Sequence, residues 1–384
     1  MAIPTSIPCH ICSGSLREWD AYGSLARVTS DCKAWPAGGR LGACLRCGTV
    51  QKVVDDRWQD EIERIYAAYT IYFQAGGAEQ TVFVGNGAPP VLRSDRLVAE
   101  LTRHAVLPAQ GRLLDVGCGN GAFLRAFSAA RSDWTLRGTE LSDTNRSVIE
   151  AIPGVEALHT GALEDTPGLF SLISLIHVLE HIRDPRALLA TVATKLAPGG
   201  VLFVEVPNAA RNPFDLLIAD HATHFTPESV TALLEDAGFA VTMCSTDWVT
   251  KEISLIGTRA DGQTEAVRRP SPDAGFGLEW LLRVRDAARR AQTEAAARPF
   301  GIFGSSIAAT WLAQEVGGAM AFFADEDPAR RGGTFMGRPI LTPSEVPDGA
   351  VVFVGIGGGT AADIASRLVR ERPSVTWIPS PPLA

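Results

Sequence analysis

The stretch Leu113-Leu114-Asp115-Val116-Gly117-Cys118-Gly119-Asn120-Gly121 constrains this chain more than any other. An apolar run ends in an acid and three alternating glycines, and a helical pattern (AFLRAF) follows at once. An apolar run and a helix joined by so short a turn predict one strand–loop–helix unit of a parallel sheet. Glycines let backbone approach a ligand closely, and amides at the helix start favour a negative group such as a carboxylate. The next apolar run ends at Glu140. An acid about 20 residues past such a loop accepts both hydrogen bonds of a ribose diol.

Around this unit, short β-rich runs alternate with helical segments from 111 to 258. Strands are expected at 112–116, 134–139, 155–158, 170–176, 201–206, 239–244 and 252–257, with helices such as 122–130, 185–196 and 227–237 between them. This pattern predicts the α/β class, with a doubly wound Rossmann-like sheet covered by helices on both faces. The last two strands lack an intervening helix, so that edge is expected to be antiparallel. Upstream, Ile62, Ile65, Tyr66 and Tyr69 give helical spacing within 57–73, and another helix is expected from Ser94, capped by Ser94 or Asp95. Downstream, polar residues 260–275 suit a linker. A helix at 278–297 and a smaller Rossmann-like α/β unit follow, with a helix at 307–316 and strands near 300–304, 319–325 and 350–359. The expected regions are 1–75, a cysteine-rich module with an aromatic helix; 76–260, the ligand-binding sheet; and 261–384, the linker helix and second unit.

The chain has 384 residues, 43 acidic and 35 basic, for a net charge of −8. That balance argues against a general nucleic-acid or anionic-membrane binder. No apolar run reaches the ~18 residues of a transmembrane helix. The start, MAIPTSIPCHICSG, lacks a basic segment followed by an apolar one, so a cytoplasmic location is expected.

Seven cysteines are too few for a disulfide scaffold. Four form two C-x-x-C pairs, Cys9–Cys12 and Cys44–Cys47, each followed by a glycine, Gly14 and Gly48. Two such pairs complete a tetrahedral four-cysteine zinc site, structural because four protein ligands leave no open position. The pairs are 31 residues apart, and Cys32 between them is a possible substitute ligand. A redox pair or free thiols is the competing reading.

Three details favour S-adenosylmethionine over a dinucleotide in the glycine loop. The spacing is G-x-G-x-G. Asp115 precedes Gly117 by two, where it could hold the methionine amino group, and the fourth strand is followed by His177-Val178-Leu179-Glu180-His181-Ile182-Arg183-Asp184-Pro185. Over 94–258 the chain resembles the class I S-adenosylmethionine-dependent methyltransferases, which carry D-x-G-x-G-x-G and often H-x-L-E-H-x-x-D-P at these places. The resemblance implies that Asp115, Gly117, Cys118, Gly119, Glu140, Leu141, Ala162, Leu163 and the His177–Val178 backbone line the cofactor. The lack of clustered Lys and Arg and the extra Rossmann-like unit favour a small-molecule acceptor over a nucleic acid.

The order of zinc module, methyltransferase core and second Rossmann-like unit resembles the zinc-containing deoxysugar C-methyltransferases, which act on nucleotide-linked 4-keto sugars. The stretches FGIFGSSIAATWLAQ and VVFVGIGGG carry the likeness beyond the core. In that family an aromatic–His–Glu–His tetrad follows strand five, and its last histidine is a candidate base. Here the stretch is Ile218-Ala219-Asp220-His221, so Ile218 and Ala219 depart from it and O- or N-methylation stays open. The resemblance implies His221 as general base oriented by Asp220, with His224 or His181 nearby, a role suited to a side chain of pKa ~6.5. Tyr72 and Gln80, beside the loop QAGGAEQ, are expected to close over the donor or substrate. An RNA base methyltransferase and a non-catalytic cofactor-binding scaffold are the alternatives, and no interleaved basic and aromatic residues support RNA.

Overall fold

In a computed structural model of the chain, the described residues are 7–69, 79, 81–82, 91–260, 262, 275–318, 320–357 and 360–383. At its centre is a seven-stranded sheet in the order Val155–His159, Thr135–Thr139, Arg112–Val116, Phe170–Ile176, Leu196–Pro207, Glu252–Arg259 and Phe239–Ser245. The first five run parallel. Glu252–Arg259 and Phe239–Ser245 pair antiparallel, as expected for strands joined without a helix.

Side chains alternate across the strands, so adjacent residues feed different layers. Leu113, Leu172, Val201 and Phe203 pack with Phe123 and Phe127 of the Ala122–Ala130 helix and with Leu97 and Leu101. Leu114, Ile173, Leu202 and Val204 pack on the opposite face with Leu189, Val192 and Leu233. Pro at the first turn and an Asp184 side-chain cap start the Pro185–Lys195 helix, and a Thr226 capping box starts Pro227–Asp236.

The helix expected from Ser94 spans Arg93–His104 and is capped differently. Ser94 lies inside it, and the Ser94 N–H donates to Glu79 Oε1 at 2.7 Å. A carboxylate from the preceding chain satisfies the helix start, so neither Ser94 nor Asp95 is the cap. The upstream helix, Asp56–Ala67, stops short of the expected 73, and residues 70–73 lie outside the described set.

The N-terminal module is built on a four-stranded sheet, Leu16–Glu18, Leu41–Cys44, Val50–Lys52 and Thr223–His224. The last strand comes from the loop after strand five, so the module and the histidine segment share backbone hydrogen bonds. Tyr22, Leu25, Val28 and Val50 share one buried cluster with Phe214 and Leu217 and with Trp280, Trp311 and Phe353 of the C-terminal part. That part carries a six-stranded sheet, whose four central strands (Arg338–Leu341, Phe322–Ala324, Phe300–Phe303 and Val351–Val354) run parallel with Thr376–Pro379. Among the described residues, no helix is long and apolar enough to cross a membrane.

One buried ion pair ties the module to the Asp56–Ala67 helix. Arg27 donates to both Glu61 carboxylate oxygens, at 2.7 and 3.0 Å, and both residues are buried. Glu61→Ala leaves the guanidinium buried and unpaired, and is expected to cost about 3–5 kcal/mol in denaturant unfolding.

Candidate functional site

The strand–loop–helix unit delivers its loop to the carboxyl edge of the sheet, where ligands bind in such folds. Gly117, Gly119 and Gly121 all take positive φ. At Gly117 a Cβ would lie 2.7 Å from Val178 Cγ2, so the loop from strand one is pressed against the segment after strand four. A side chain there would meet both strain and a clash. Glu140, just past strand two, accepts from the Gly119 N–H at 2.7 Å through Oε1 and from the Leu141 N–H at 2.9 Å through Oε2. The acid thus stands at the loop's mouth beside exposed Leu141. Ala162 and Leu163 stand at the turn after strand three, with His159 Nε2 3.1 Å from the Ala162 carbonyl.

Asp115 is buried beneath the loop and accepts from Ser174 Oγ at 2.7 Å. Burial pushes its carboxyl up to about 7; the Ser174 hydrogen bond opposes this and Glu140 adds to it. A cationic group held beside it would restore the charged form. The glycine cradle, the acid at its mouth and the buried aspartate together fit S-adenosylmethionine. Cys118 is buried between loop and sheet and packs in the apolar core. Glu140→Ala is expected to weaken donor binding at least about tenfold by calorimetry, the worth of a charged hydrogen-bond pair.

Three histidines gather on the adjoining side. Asp215, in the short turn Pro213–Leu217, receives His221 Nδ1 on one carboxylate oxygen at 2.8 Å and His224 Nδ1 on the other at 2.7 Å. A carboxylate only accepts, so both Nδ1 atoms carry protons and Nε2 is the basic nitrogen of each ring. His224 Nε2 lies 3.0 Å from Lys52 Nζ, which also donates to the Tyr22 hydroxyl at 2.7 Å and the Leu216 carbonyl. Both His224 nitrogens are therefore engaged, one by Asp215 and one by Lys52. His221 packs edge-on to His181, with ring centroids 4.6 Å apart. Nδ1 of His181 lies 3.1 Å from both the Asp220 carbonyl oxygen and the Tyr66 hydroxyl.

These contacts correct one expectation. Asp220 does not orient His221; its carboxylate accepts from the Ser30 N–H and hydroxyl, at 2.8 and 2.5 Å, and holds the module in place. Asp215 takes the orienting part. A single acid within the apolar run Phe214-Asp215-Leu216-Leu217-Ile218 was the available signal, because a buried carboxylate needs partners. Lys52 was likewise missed, since its partners are remote in sequence. Tyr72 and Gln80 lie outside the described residues.

The electrostatics separate the histidines. Burial lowers the His221 pKa, but the Asp215 charge and hydrogen bond outweigh it and the net shift is upward. Burial and then Lys52 push His224 down to about 4, against Asp215. Burial and then His221 push His181 down.

The four cysteine sulfurs of the N-terminal module lie within 4.8 Å of one another. Cys9 and Cys47 sulfurs are 3.8 Å apart and those of Cys12 and Cys44 are 3.5 Å apart. A tetrahedron with ~2.3 Å Zn–S bonds has edges of about 3.8 Å, so the set fits zinc. Backbone N–H groups of Ile11 and Arg46 point at the Cys9 and Cys44 sulfurs, 3.4 Å away. Cys32 is not in this group, which removes it as a substitute ligand. Its carbonyl accepts from Thr310 in the C-terminal part.

Residues 92–243 match a family described as "Methyltransferase domain". A ubiquinone biosynthesis O-methyltransferase of Paracidovorax citrulli is 30% identical over 199 residues, covering 47% of this chain and 79% of the relative. The same enzyme of Xanthomonas campestris pv. campestris (strain B100) is 28% identical over 179 residues, covering 44% and 71%. Among solved structures, an O-methyltransferase family protein from Burkholderia thailandensis shows 23% identity and a TM-score of 0.37, covering 44% of this chain and 55% of that one. CalO1, a calicheamicin-biosynthesis methyltransferase, shows 17% identity and a TM-score of 0.36, covering 44% and 54%. The chain thus spans about half the length of these two structures. The chain belongs to the S-adenosylmethionine-dependent methyltransferases.

Proposed function

We propose that the chain transfers a methyl group from S-adenosylmethionine to an oxygen of a small molecule, a nucleotide-linked sugar, with His221 as general base. The observation that carries this reading is the Asp215–His221 pair at 2.8 Å, at the sheet edge that holds the glycine loop. When bound, S-adenosylmethionine supplies an electrophilic methyl group on a sulfonium that needs no further activation. The loop and Glu140 hold the donor, and the protein's remaining task is to position the acceptor and take one proton. Asp215 fixes the His221 tautomer so that Nε2 receives the acceptor's hydroxyl proton as the new C–O bond forms and the S–C bond breaks.

The oxygen acceptor is supported by the O-methyltransferase names of the relatives. It is also supported by Ile218 and Ala219, which stand where the C-methylating pattern has an aromatic residue and a histidine. The sugar substrate is supported by the sequence resemblance and by the second α/β unit. A structural zinc in the four-cysteine group braces the module that carries Lys52 and Tyr22.

Methyl-labelled donor, incubated with a panel of nucleotide sugars and with total RNA, tests the reading. Label is expected in a sugar, with NMR placing the methyl on oxygen. Methyl on a carbon beside a ketone overturns the acceptor atom, and label in RNA alone overturns the substrate class.

A further inference from the structure

We propose that His177, Glu205 and Glu252 form a second metal site, for a divalent cation such as Mn2+, beside the methyl-donor loop. The three side chains come from the ends of different strands. His177 follows Phe170–Ile176, Glu205 lies near the end of Leu196–Pro207, and Glu252 begins the antiparallel Glu252–Arg259. All three therefore meet at the carboxyl edge. His177 precedes Val178, the residue pressed against Gly117, so the site adjoins the donor loop.

His177 Nε2 lies 3.3 Å from Glu252 Oε2 and 3.8 Å from Glu205 Oε1, and the three atoms fall within 4.8 Å of one another. Donors held about 2.1 Å from one cation stand roughly 3.0–3.4 Å apart, so a small inward movement completes the set. These same three atoms are buried and make no hydrogen bond among the described residues. Glu205 is fully buried, with Oε1 directed into the group. Buried polar atoms normally find a hydrogen-bond partner, so three that converge without one point to a shared cation.

The remaining atoms are arranged to support ligation. Nδ1 of His177 stands 3.1 Å from Glu180 Oε1, on the far side of the ring from the proposed ligand atom Nε2. Glu205 Oε2 accepts from Ser254 Oγ at 3.4 Å. Among the described residues, the cation beside Glu205 is Arg93, whose guanidinium stands 3.8 Å from Oε1. The Arg93 charge acts on both Glu205 and Glu252, and a divalent ion between the two carboxylates would share that part.

One imidazole with two carboxylates is a harder donor set than four thiolates, so it accommodates a harder divalent ion such as Mn2+ than the four-cysteine group does. Three protein ligands leave coordination positions open. Their use to hold a substrate oxygen rests on the methyltransferase reading; the binding itself does not.

The test titrates Mn2+ into zinc-loaded full-length protein, following free Mn2+ by electron paramagnetic resonance. One Mn2+ per chain is expected, bound at least about tenfold more weakly in Glu205→Gln and in Glu252→Gln. Calorimetric titration with S-adenosylmethionine reports whether each variant is folded, and Glu252→Gln decides alone where Glu205→Gln fails that check. Mn2+ left free by the wild type, or bound undiminished by the folded variants, overturns the site. A wild type that binds the donor but no Mn2+ sinks this inference alone; one that binds Mn2+ but no donor sinks the methyltransferase reading instead.

Discussion

His221→Ala is expected to lower kcat by about 10²–10⁴-fold, the usual worth of a positioned general base. Donor affinity should stay near wild type, because the Gly117–Gly121 loop and Glu140 are held by their own contacts. The pH dependence makes the expectation sharper. The Asp215 carboxylate overcomes burial and holds the His221 pKa above its ordinary 6.5. The base form therefore accumulates only as pH rises through that elevated value, and kcat/KM should climb along an alkaline-displaced limb. In Asp215→Asn the raising charge is gone, so the limb should move to lower pH while the maximal rate falls with loss of tautomer control. The same pairing contributes stability that is full below the unfolded histidine pKa of ~6.5 and is lost as pH rises through the folded value. Wild-type turnover in His221→Ala, or an unmoved limb in Asp215→Asn, contradicts the assignment.

Removing zinc from the four-cysteine group is expected to damage both the fold and the distant site. The group sits at one end of a sheet whose last strand is Thr223–His224. His10 Nε2 lies 2.7 Å from Thr223 Oγ1, and Arg186 donates to the Ile11 carbonyl. Val50–Lys52 pairs with that strand and presents Lys52 to His224. Without the metal, four thiols face one another in a small, loop-rich module that has little core of its own. Structural zinc is worth about 10–16 kcal/mol in isolated zinc peptides, and ~1 kcal/mol moves the Tm of a mid-sized domain by about 2–4 °C. Chelation should therefore lower Tm by at least about 10 °C and activity by about tenfold or more. Metal analysis should find one zinc per chain, lost in Cys9→Ser. Protein that carries no zinc as purified and keeps its Tm after chelation contradicts the assignment.

Much of the architecture could be read in the sequence because it is locally encoded. The Ala122–Ala130 and Ile307–Val316 helices occupy the expected ranges, each preceded by an apolar strand and a short turn. Strand boundaries such as Arg112–Val116 and Phe170–Ile176 follow from apolar runs bounded by polar residues and glycines. What escaped the sequence depends on distant segments meeting. Asp215 displaced Asp220 as the partner of His221 because Ser30, 190 residues away, claims the Asp220 carboxylate. Lys52 reaches His224 across 172 residues through a strand pairing that no local pattern announces. Glu79 replaces the expected serine cap in the same way. Local periodicity reports elements and the glycine loop; it does not report which buried charges will find each other.

Calorimetric titration of zinc-loaded protein with S-adenosylmethionine tests the central claim most directly. The account predicts saturable binding at one site per chain, weakened in Glu140→Ala. Absence of any heat of binding from the wild type, with the demethylated product silent as well, would contradict it.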